Sequence, residues 1–186
     1  MSGTRREMRQ RFEQEALPHL DALYTAAFHL TRSQDDADDL CQETLLRGYR
    51  FFDQFVPGTN CRAWLLAILY NAFRRSYARA KREQVSGTWA EFQHLLENHC
   101  HANEGGLPSL DTDAISERDV RQALADLPEP AREILLLIDI QGLSYDEAAK
   151  VLQVPTGTVR SRLSRSRALM RQALRRTAPA RRIARA

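Results

Sequence analysis

The 186-residue sequence lacks several features that would place it outside the cytoplasm or make it an enzyme. No apolar run approaches the length of a membrane span, and no signal peptide precedes the first predicted helix. The three cysteines, Cys41, Cys61 and Cys100, are odd in number and unpaired in spacing, which argues against a secreted disulfide framework. Glycine-rich phosphate loops, nucleophile elbows and HExxH motifs are missing. These absences predict a cytoplasmic protein that is not an enzyme and holds no cofactor.

Strand-like alternation and internal repeats are also missing, so the chain is predicted to be all-α. A change in composition divides it into two small helical domains, residues 10–84 and 114–178. The segment between them, 85–113, contains Gly105, Gly106 and Pro108, and acidic residues outnumber basic ones there. We interpret this segment as a flexible acidic linker.

The stretch from Leu143 to Arg176 has the pattern of two helices joined by a tight turn. Ser144 followed by Glu147 three residues later forms a capping box for the first helix, and Pro155 ends that helix. Apolar residues at steps of four and seven form the predicted buried stripe of the second helix: Val159, Leu163, Met170 and Leu174. This pattern predicts a helix-turn-helix.

The charge of that second helix is of one sign. After Glu147 the chain has no acidic residue and ten arginines. A merely solvated helix face normally mixes signs, so nucleic-acid binding is favoured over that simpler interpretation. Guanidinium and hydroxyl groups can bind base edges or phosphates. The residues predicted to face outward are Arg160, Ser161, Arg162, Ser164, Arg165 and Arg167.

The front half is predicted to contain three helices. The first runs from Phe12 to Leu30 with an interruption at Leu17 and Pro18. The second begins after a cap at Ser33, and the third runs from Cys61 to about Arg82 after a cap at Thr59 or Asn60. Cations and an aromatic near the end of the third helix are suited to single-stranded DNA, although cations there also complement the helix dipole. These residues are Arg74, Arg75 and Tyr77.

Three blocks of the chain together resemble the extracytoplasmic-function (ECF) sigma factors of the sigma-70 family. The blocks are DDADDLCQETLLRGYRFFDQF, PGTNCRAWLLAILYNAFRRSYAR and LPEPAREILLLIDIQGLSYDEAAKVLQVPTGTVRSRLSRSRALMRQAL, in the family's order. The opening FEQEALPHLDALYTAAFHLTR with PGTN is most similar to the redox-responsive branch. The resemblance implies an alternative sigma factor that binds core RNA polymerase, directs promoter recognition in a stress response and is controlled by an anti-sigma factor.

The resemblance also implies roles for particular residues. Asp39, Gln42 and Glu43 match the positions that dock on the clamp coiled coil of core polymerase, and they are predicted to face solvent without cationic partners four residues away. Positions that match the −10-binding part are Asn60, Trp64, Asn71, Arg74, Arg75 and Tyr77. Positions that match the −35-binding part are Thr158, Arg160, Ser161, Arg162, Ser164, Arg165 and Arg167, with Arg162 and Arg167 expected nearer to phosphate.

The sequence departs from the family at two places that bear on these roles. Leu66 and Ala67 follow Trp64 where an aromatic and an arginine are common. Ser164 stands where some relatives carry a larger side chain. The third helix therefore matches the family's DNA-binding pattern only in part, and the −35 preference cannot be copied from relatives.

Two other classes of function remain open from the residues alone. A stand-alone helix-turn-helix regulator would account for residues 143–176 but would leave the front half without a role. A metal-dependent sensor would use the cluster of imidazoles and a thiol in the linker, His94, His99, Cys100 and His101. Their spacing matches no standard metal site, so no metal is predicted.

Overall fold

The computed structural model describes residues 2–81 and 115–177, and the side chains of residues 6–76 and 115–177 within them. In chain order the described helices are α1 (Ser2–Ala16), α2 (Leu20–Thr31), α3 (Gln34–Arg50), α4 (Cys61–Lys81), α5 (Glu117–Asp126), α6 (Glu129–Leu135), α7 (Tyr145–Leu152) and α8 (Thr156–Thr177). Single 3₁₀ turns lie at Leu17–His19 and Phe52–Gln54, and a π-helical turn lies at Leu136–Ile140. No strand occurs in this part of the chain, and the all-α prediction is confirmed.

Most predicted helix boundaries agree with the structure. The interruption at Pro18 is the 3₁₀ turn, and the hydroxyl of Ser33 accepts a hydrogen bond from the Asp36 amide at the start of α3. The first helix begins ten residues earlier than predicted, at Ser2 rather than Phe12. The predicted linker and its histidine cluster lie outside the described residues. Among the described helices, none is both long and apolar enough to cross a bilayer.

The front half is a packed group of α2, α3 and α4, with α1 along one side. Leu23, Leu65 and Tyr70 are fully buried at its centre. Gly48 lets α3 approach α4 closely, because a Cβ atom there would lie 3.0 Å from a methyl group of Leu65 and 3.4 Å from the ring of Phe12. This close approach fixes the orientation of α3 and therefore of its outward face.

The back half is built on α6, which packs against α8, and on the π-helical turn that follows it and contacts α7. Ile134 and Leu137 are completely buried, as is Val159 at the start of α8. Both capping boxes of this half are complete: Ser116 with Asp119 at α5, and Ser144 with Glu147 at α7. The helix-turn-helix of α7 and α8 therefore rests on an apolar base.

The two halves are packed against each other. Helix α4 of the front half contacts α7 of the back half, and a single cluster of buried apolar side chains extends through both. The sequence analysis did not predict this contact. It places the start and middle of α4 beneath the helix-turn-helix.

Candidate polymerase and nucleic-acid interfaces

The candidate polymerase face lies on the outer side of α3. Asp39 and Gln42 are exposed and Glu43 is half-buried, while Leu46 on the same face exposes 71% of its surface. The prediction that these acidic side chains lack cationic partners was wrong for Glu43, which forms an ion pair with Arg47 four residues later. Asp39 forms no ion pair with another described residue, so its carboxylate supplies the unneutralised negative charge of this face.

The opposite side of α3 holds this face in place. Ala37 and Leu40 are buried, and the buried hydroxyl of Thr44 donates to the Leu40 carbonyl at 2.7 Å. Because residues 37, 40 and 44 occupy one side of the helix, residues 39, 42 and 43 project from another. The sequence periodicity was sufficient to predict this arrangement.

Asp39 and Glu43 also line a groove of about 750 Å³ between the two halves. Its other wall includes Pro128, Glu129 and Arg132 from the back half. The candidate polymerase face is therefore continuous with the boundary between the halves, so a molecule seated in the groove would contact both.

The loop before α4 is held by aromatic packing. Phe52 and Phe55 stack with ring centroids 5.5 Å apart, and Trp64 lies 5.4 Å from Phe55. Asn60 caps α4, since its side-chain oxygen accepts from the Ala63 amide at 3.1 Å. Val56 at the tip of the loop is 63% exposed. Trp64 is thus partly committed to packing, and it forms the base of a rigid loop.

Three of the residues matched to −10 binding, Asn60, Asn71 and Arg74, are engaged by the back half; we call these three the front surface. The side-chain amide of Asn60 donates to Glu147 at 2.7 Å, and the side-chain oxygen of Asn71 accepts from Gln153 at 3.5 Å. Arg75 is exposed and bonds the Asn71 carbonyl of its own helix. The side chain of Tyr77 lies outside the described residues.

Arg74 is the most heavily engaged of the three. Its guanidinium donates to the Val151 carbonyl at 3.4 Å and lies 3.6 Å from a carboxylate oxygen of Glu133. Tyr70, one turn earlier and fully buried, donates its hydroxyl proton to the Glu133 backbone carbonyl at 3.5 Å. Asn71 and Arg74 of α4 therefore face the back half, whereas Arg75 is exposed.

Glu133 is an unusual residue for a helix centre because only 8% of its surface is exposed. Burial raises its pKa to about 7, although the nearby guanidinium of Arg74 acts in the opposite direction. A buried carboxyl of this kind makes the contact between the halves sensitive to pH.

Other side chains join the halves away from the DNA-binding positions. Arg132 is buried and donates to the carbonyls of His29, at 3.0 Å, and Leu127, at 2.9 Å. Gln141, also buried, donates to the Ala22 carbonyl at 3.2 Å. Arg32 donates to the carbonyl of Ala125. Buried polar side chains stabilise only an arrangement that satisfies them, so these contacts specify one relative placement of the halves.

The residues matched to −35 binding have a different environment. Arg160, Ser161 and Ser164 are exposed, and Thr158 and Arg165 are half-buried; we call these five the recognition surface. The recognition surface lies at the N-terminal half of α8, the part of a recognition helix that enters the major groove. The guanidinium of Arg160 lies 5.8 Å above the ring of exposed Tyr145. Among the described residues, no hydrogen bond or ion pair joins these five side chains to the front half.

Two arginines expected near phosphate are less available. Arg167 forms a two-pronged ion pair with Asp139, at 3.0 and 2.5 Å. Arg162 is half-buried, and burial lowers its pKa while nearby Glu133 acts to raise it. For Arg162 and Arg167 to contact phosphate as expected, both side chains would have to rearrange.

Glu147 has two functions in the structure. One carboxylate oxygen accepts from the backbone amide and hydroxyl of Ser144, completing the capping box, and the other accepts from Asn60. Burial acts to raise the pKa of Glu147, but the hydrogen bonds from Ser144 and Asn60 outweigh it and lower the pKa. The capping box was predictable from sequence, whereas the bond to Asn60 depends on tertiary packing.

The two described cysteines are buried, and neither is joined in a disulfide. Burial raises the pKa of Cys41 and of Cys61 to about 11 in each case. A thiol with so high a pKa is almost entirely protonated at neutral pH and therefore reacts slowly with oxidants. Within the described residues, no three His, Cys, Asp or Glu side chains are grouped to hold a metal ion.

Comparison with known proteins supports the family assignment. The family model described as Sigma-70 region 2 matches residues 17–83, and the model described as Sigma-70, region 4 matches residues 117–170. The chain is 38% identical over 152 residues to the ECF RNA polymerase sigma factor EcfG of Rhodopseudomonas palustris, covering 82% of this chain and 77% of that protein. It is 34% identical over 156 residues to the ECF RNA polymerase sigma factor SigE of Mycolicibacterium smegmatis, covering 84% and 58% respectively.

Solved structures agree with the sequence matches. The sigma factor RpoE of Bartonella quintana, solved with the anti-sigma factor NepR, is similar with a TM-score of 0.68 and 30% identity, covering 89% of this chain and 98% of that chain. CnrH, solved with the cytosolic domain of CnrY, is similar with a TM-score of 0.60 and 26% identity, covering 89% and 88%. The chain belongs to the ECF sigma factors of the sigma-70 family.

Proposed function

We propose that this chain is an alternative sigma factor that docks on core RNA polymerase through Asp39, Gln42 and Glu43. The observation that carries the proposal is the outer face of α3, where Asp39 and Gln42 are exposed beside the strongly exposed Leu46. An exposed apolar side chain bordered by acidic and polar groups suits a basic helical partner. The polymerisation chemistry belongs to the partner enzyme, and the chain acts in the cytoplasm without a catalytic site.

The same proposal assigns the two DNA elements. The −10 element is bound by the region around α4, through Asn60, Trp64, Asn71, Arg74, Arg75 and Tyr77. The −35 element is bound in the major groove by the recognition surface, with Arg162 and Arg167 toward the phosphates. Its N-terminal position on α8 and its exposure support the second assignment.

We also propose control by an anti-sigma factor in a stress response. The similarity to a sigma factor solved with the anti-sigma factor NepR supports this regulation. The groove between the halves, whose lining includes Asp39 and Glu43, offers a place where such a protein would compete with polymerase. Membership in the redox-responsive branch stays a prediction. A short zinc-binding anti-sigma protein encoded beside this chain would support it.

The test is reconstituted transcription with core polymerase on a library of randomised promoters. We expect the full chain to direct initiation from an enriched set of −35 and −10 sequences. The double variant Asp39→Arg with Gln42→Ala should lose polymerase binding. The matched control is Glu7→Arg with Gln10→Ala, which changes two exposed residues of α1 by the same charge. Unchanged polymerase binding by the first variant would show that the docking face is elsewhere.

A stand-alone helix-turn-helix regulator is the alternative, since the recognition surface alone would serve it. Such a protein would bind duplex DNA but would not direct initiation by added core polymerase. The same reconstitution therefore separates the two functions.

A further inference from the structure

Tyr145 is an exposed aromatic residue to which the proposed function gives no role. Single aromatic side chains on a protein surface are ordinary and by themselves indicate nothing. This ring, however, has a specific neighbour, because the guanidinium carbon of Arg160 lies 5.8 Å from its centroid. Arg160 belongs to the recognition surface on α8, whereas Tyr145 is the first residue of α7. The contact therefore joins the two helices of the helix-turn-helix at a residue proposed to read DNA.

The first turn of α7 holds the ring of Tyr145 in a fixed place. Ser144 caps the helix immediately before it, and the carboxylate of Glu147 completes the capping box. The next residue, Asp146, accepts a hydrogen bond at 3.0 Å from the hydroxyl of Thr156, where α8 begins. The backbone on both sides of the ring is thus fixed relative to the start of the recognition helix.

Apart from this ring, Arg160 has no anchor among the described residues. The residue is exposed, and its guanidinium forms no hydrogen bond or ion pair within that part of the chain. A long side chain in that situation samples many rotamers, and it loses this freedom when it binds a base. A ring that already attracts the guanidinium to one place reduces that entropic cost.

The contrast with Arg167 shows why an aromatic neighbour differs from an acidic one. Arg167 is also exposed on α8, but its Nε and Nη2 groups donate to Asp139 at 3.0 and 2.5 Å. DNA would have to displace that carboxylate to reach those donors. An aromatic ring attracts a guanidinium through its face and uses none of the N–H groups as a hydrogen bond would. Arg160 is therefore held in place with its donors still available for a guanine edge.

We propose that Tyr145 is a positioning residue for −35 recognition: its ring holds the guanidinium of Arg160 in the orientation that binds a base edge. The inference rests on the proposed function, in which Arg160 reads the −35 element. It gives α7, the helix before the recognition helix, a share in sequence preference without requiring that Tyr145 touch a base. An exposed contact between a cation and an aromatic ring corresponds to about two- to fivefold in affinity.

The test is a double-mutant cycle in the full chain, titrated against two −35 duplexes. One duplex is the sequence recovered from the promoter selection, and the other changes the base pair at which Arg160→Ala loses its preference. Tyr145→Leu removes the ring and should lower the ratio of the two affinities about two- to fivefold. Tyr145→Phe keeps the ring and should retain the wild-type ratio. In the Arg160→Ala background, Tyr145→Leu should leave the ratio unchanged, because the group that the ring positions is gone.

Phe51→Leu is the matched control. Phe51 is 43% exposed, against 38% for Tyr145, and the guanidinium carbon of Arg50 lies 5.7 Å from its ring centroid. This variant removes the same kind of contact from the front half, so it should change neither the affinity for the two duplexes nor their ratio. Tyr145→Gln is a second ringless variant, suited to an exposed first turn of a helix, and should lower the ratio as Tyr145→Leu does. Circular dichroism of each variant checks that the helices are intact.

Each other outcome overturns the proposal for a different reason. Equal losses on both duplexes in the ringless variants would mean that Tyr145 only stabilises α7. A loss in Tyr145→Phe as large as that in Tyr145→Leu would assign the effect to the hydroxyl, as in a direct phosphate contact. An unchanged ratio in both ringless variants, while Arg160→Ala still loses its preference, would remove the positioning role and leave −35 reading by Arg160 standing. If Arg160→Ala itself relaxes no preference, the proposed −35 role of Arg160 falls and this inference falls with it.

Discussion

The front surface and the recognition surface are similar in chemistry but not in availability. Both present arginine with small polar side chains on a helix, yet Asn60, Asn71 and Arg74 are bonded to the other half of the molecule while Arg160 and Ser164 are exposed. The difference shows that residue type establishes what a surface could bind. Tertiary contacts decide when it can do so.

The largest expected effect tests whether the two halves depend on one core. Ile134→Ala removes a fully buried side chain of the shared apolar cluster and should cost about 2–5 kcal/mol of unfolding free energy. Because the cluster extends through both halves, urea unfolding followed by helix content should shift as a single transition. Leu46→Ala, at an exposed position, is the control and should change little. Two transitions, with only one of them shifted, would show that the halves unfold separately.

The second effect concerns pH and the covered surface. The groups around Glu133 are Arg74 and Tyr70 of α4, Arg162 of α8, and Glu129 and Arg132 of its own helix. With a pKa of about 7 when buried against about 4.5 when exposed, Glu133 favours the packing of the two halves fully below pH 4.5, and this contribution is lost as pH rises through 7. The packing of the halves should therefore weaken toward alkaline pH.

The measurement is the −10-strand affinity of the full chain between pH 6 and 8. We expect it to rise with pH, by an amount on the order of tenfold, since each unit of pKa difference is worth about 1.4 kcal/mol. His29 should act in the opposite direction, because burial lowers its pKa and protonation at low pH then favours separation. Glu133→Gln isolates the carboxyl, and its affinity should lose the alkaline rise. A rise that persists in this variant would assign it to another group.

The third effect sharpens the description of the open surface. Arg160→Ala or Arg165→Ala should cost about 1–3 kcal/mol on cognate −35 duplex and relax preference at one base position. Arg162→Ala should weaken all duplexes alike if that side chain reaches phosphate. Titration of the full chain against cognate and scrambled duplexes separates the two behaviours. Equal losses on both duplexes for Arg160 and Arg165 would mean that α8 contacts only the backbone.

Local features of the fold were predictable because neighbouring residues determine them. The cap at Ser33, the capping box of Ser144 with Glu147 and the buried positions of Val159 and Leu163 follow from spacing along one helix. Helix α1 was predicted too short, because its polar first residues lack the apolar periodicity on which the prediction relied.

Features that join distant parts of the chain were not predictable in this way. Arg132 and Glu133 are adjacent charged residues in an otherwise apolar helix, and both are buried. That interruption was the available signal for an internal contact, but nothing in the sequence identifies His29 or Arg74 as the partners. The ion pair between Glu43 and Arg47 was a local feature, and the spacing of four residues should have indicated it.

The smallest expected effect asks which cations of α8 are free for DNA. Arg167 is held by Asp139, and exposed ion pairs of this kind contribute about 0–1 kcal/mol. Asp139→Asn keeps the side-chain shape, removes the carboxylate and releases Arg167. Affinity for −35 duplex should rise modestly, and the dependence of log affinity on log salt should steepen by about one unit, because one more phosphate contact releases one more counterion. The matched control is Asp126→Asn, which removes one negative charge from an exposed residue of α5 that is bonded to Gln122. It should change the affinity and the slope only by the small effect of losing one negative charge. Equal slopes for the two variants would mean that Arg167 does not reach DNA, and the phosphate-contacting role proposed for it would be withdrawn while that of the recognition surface would stand.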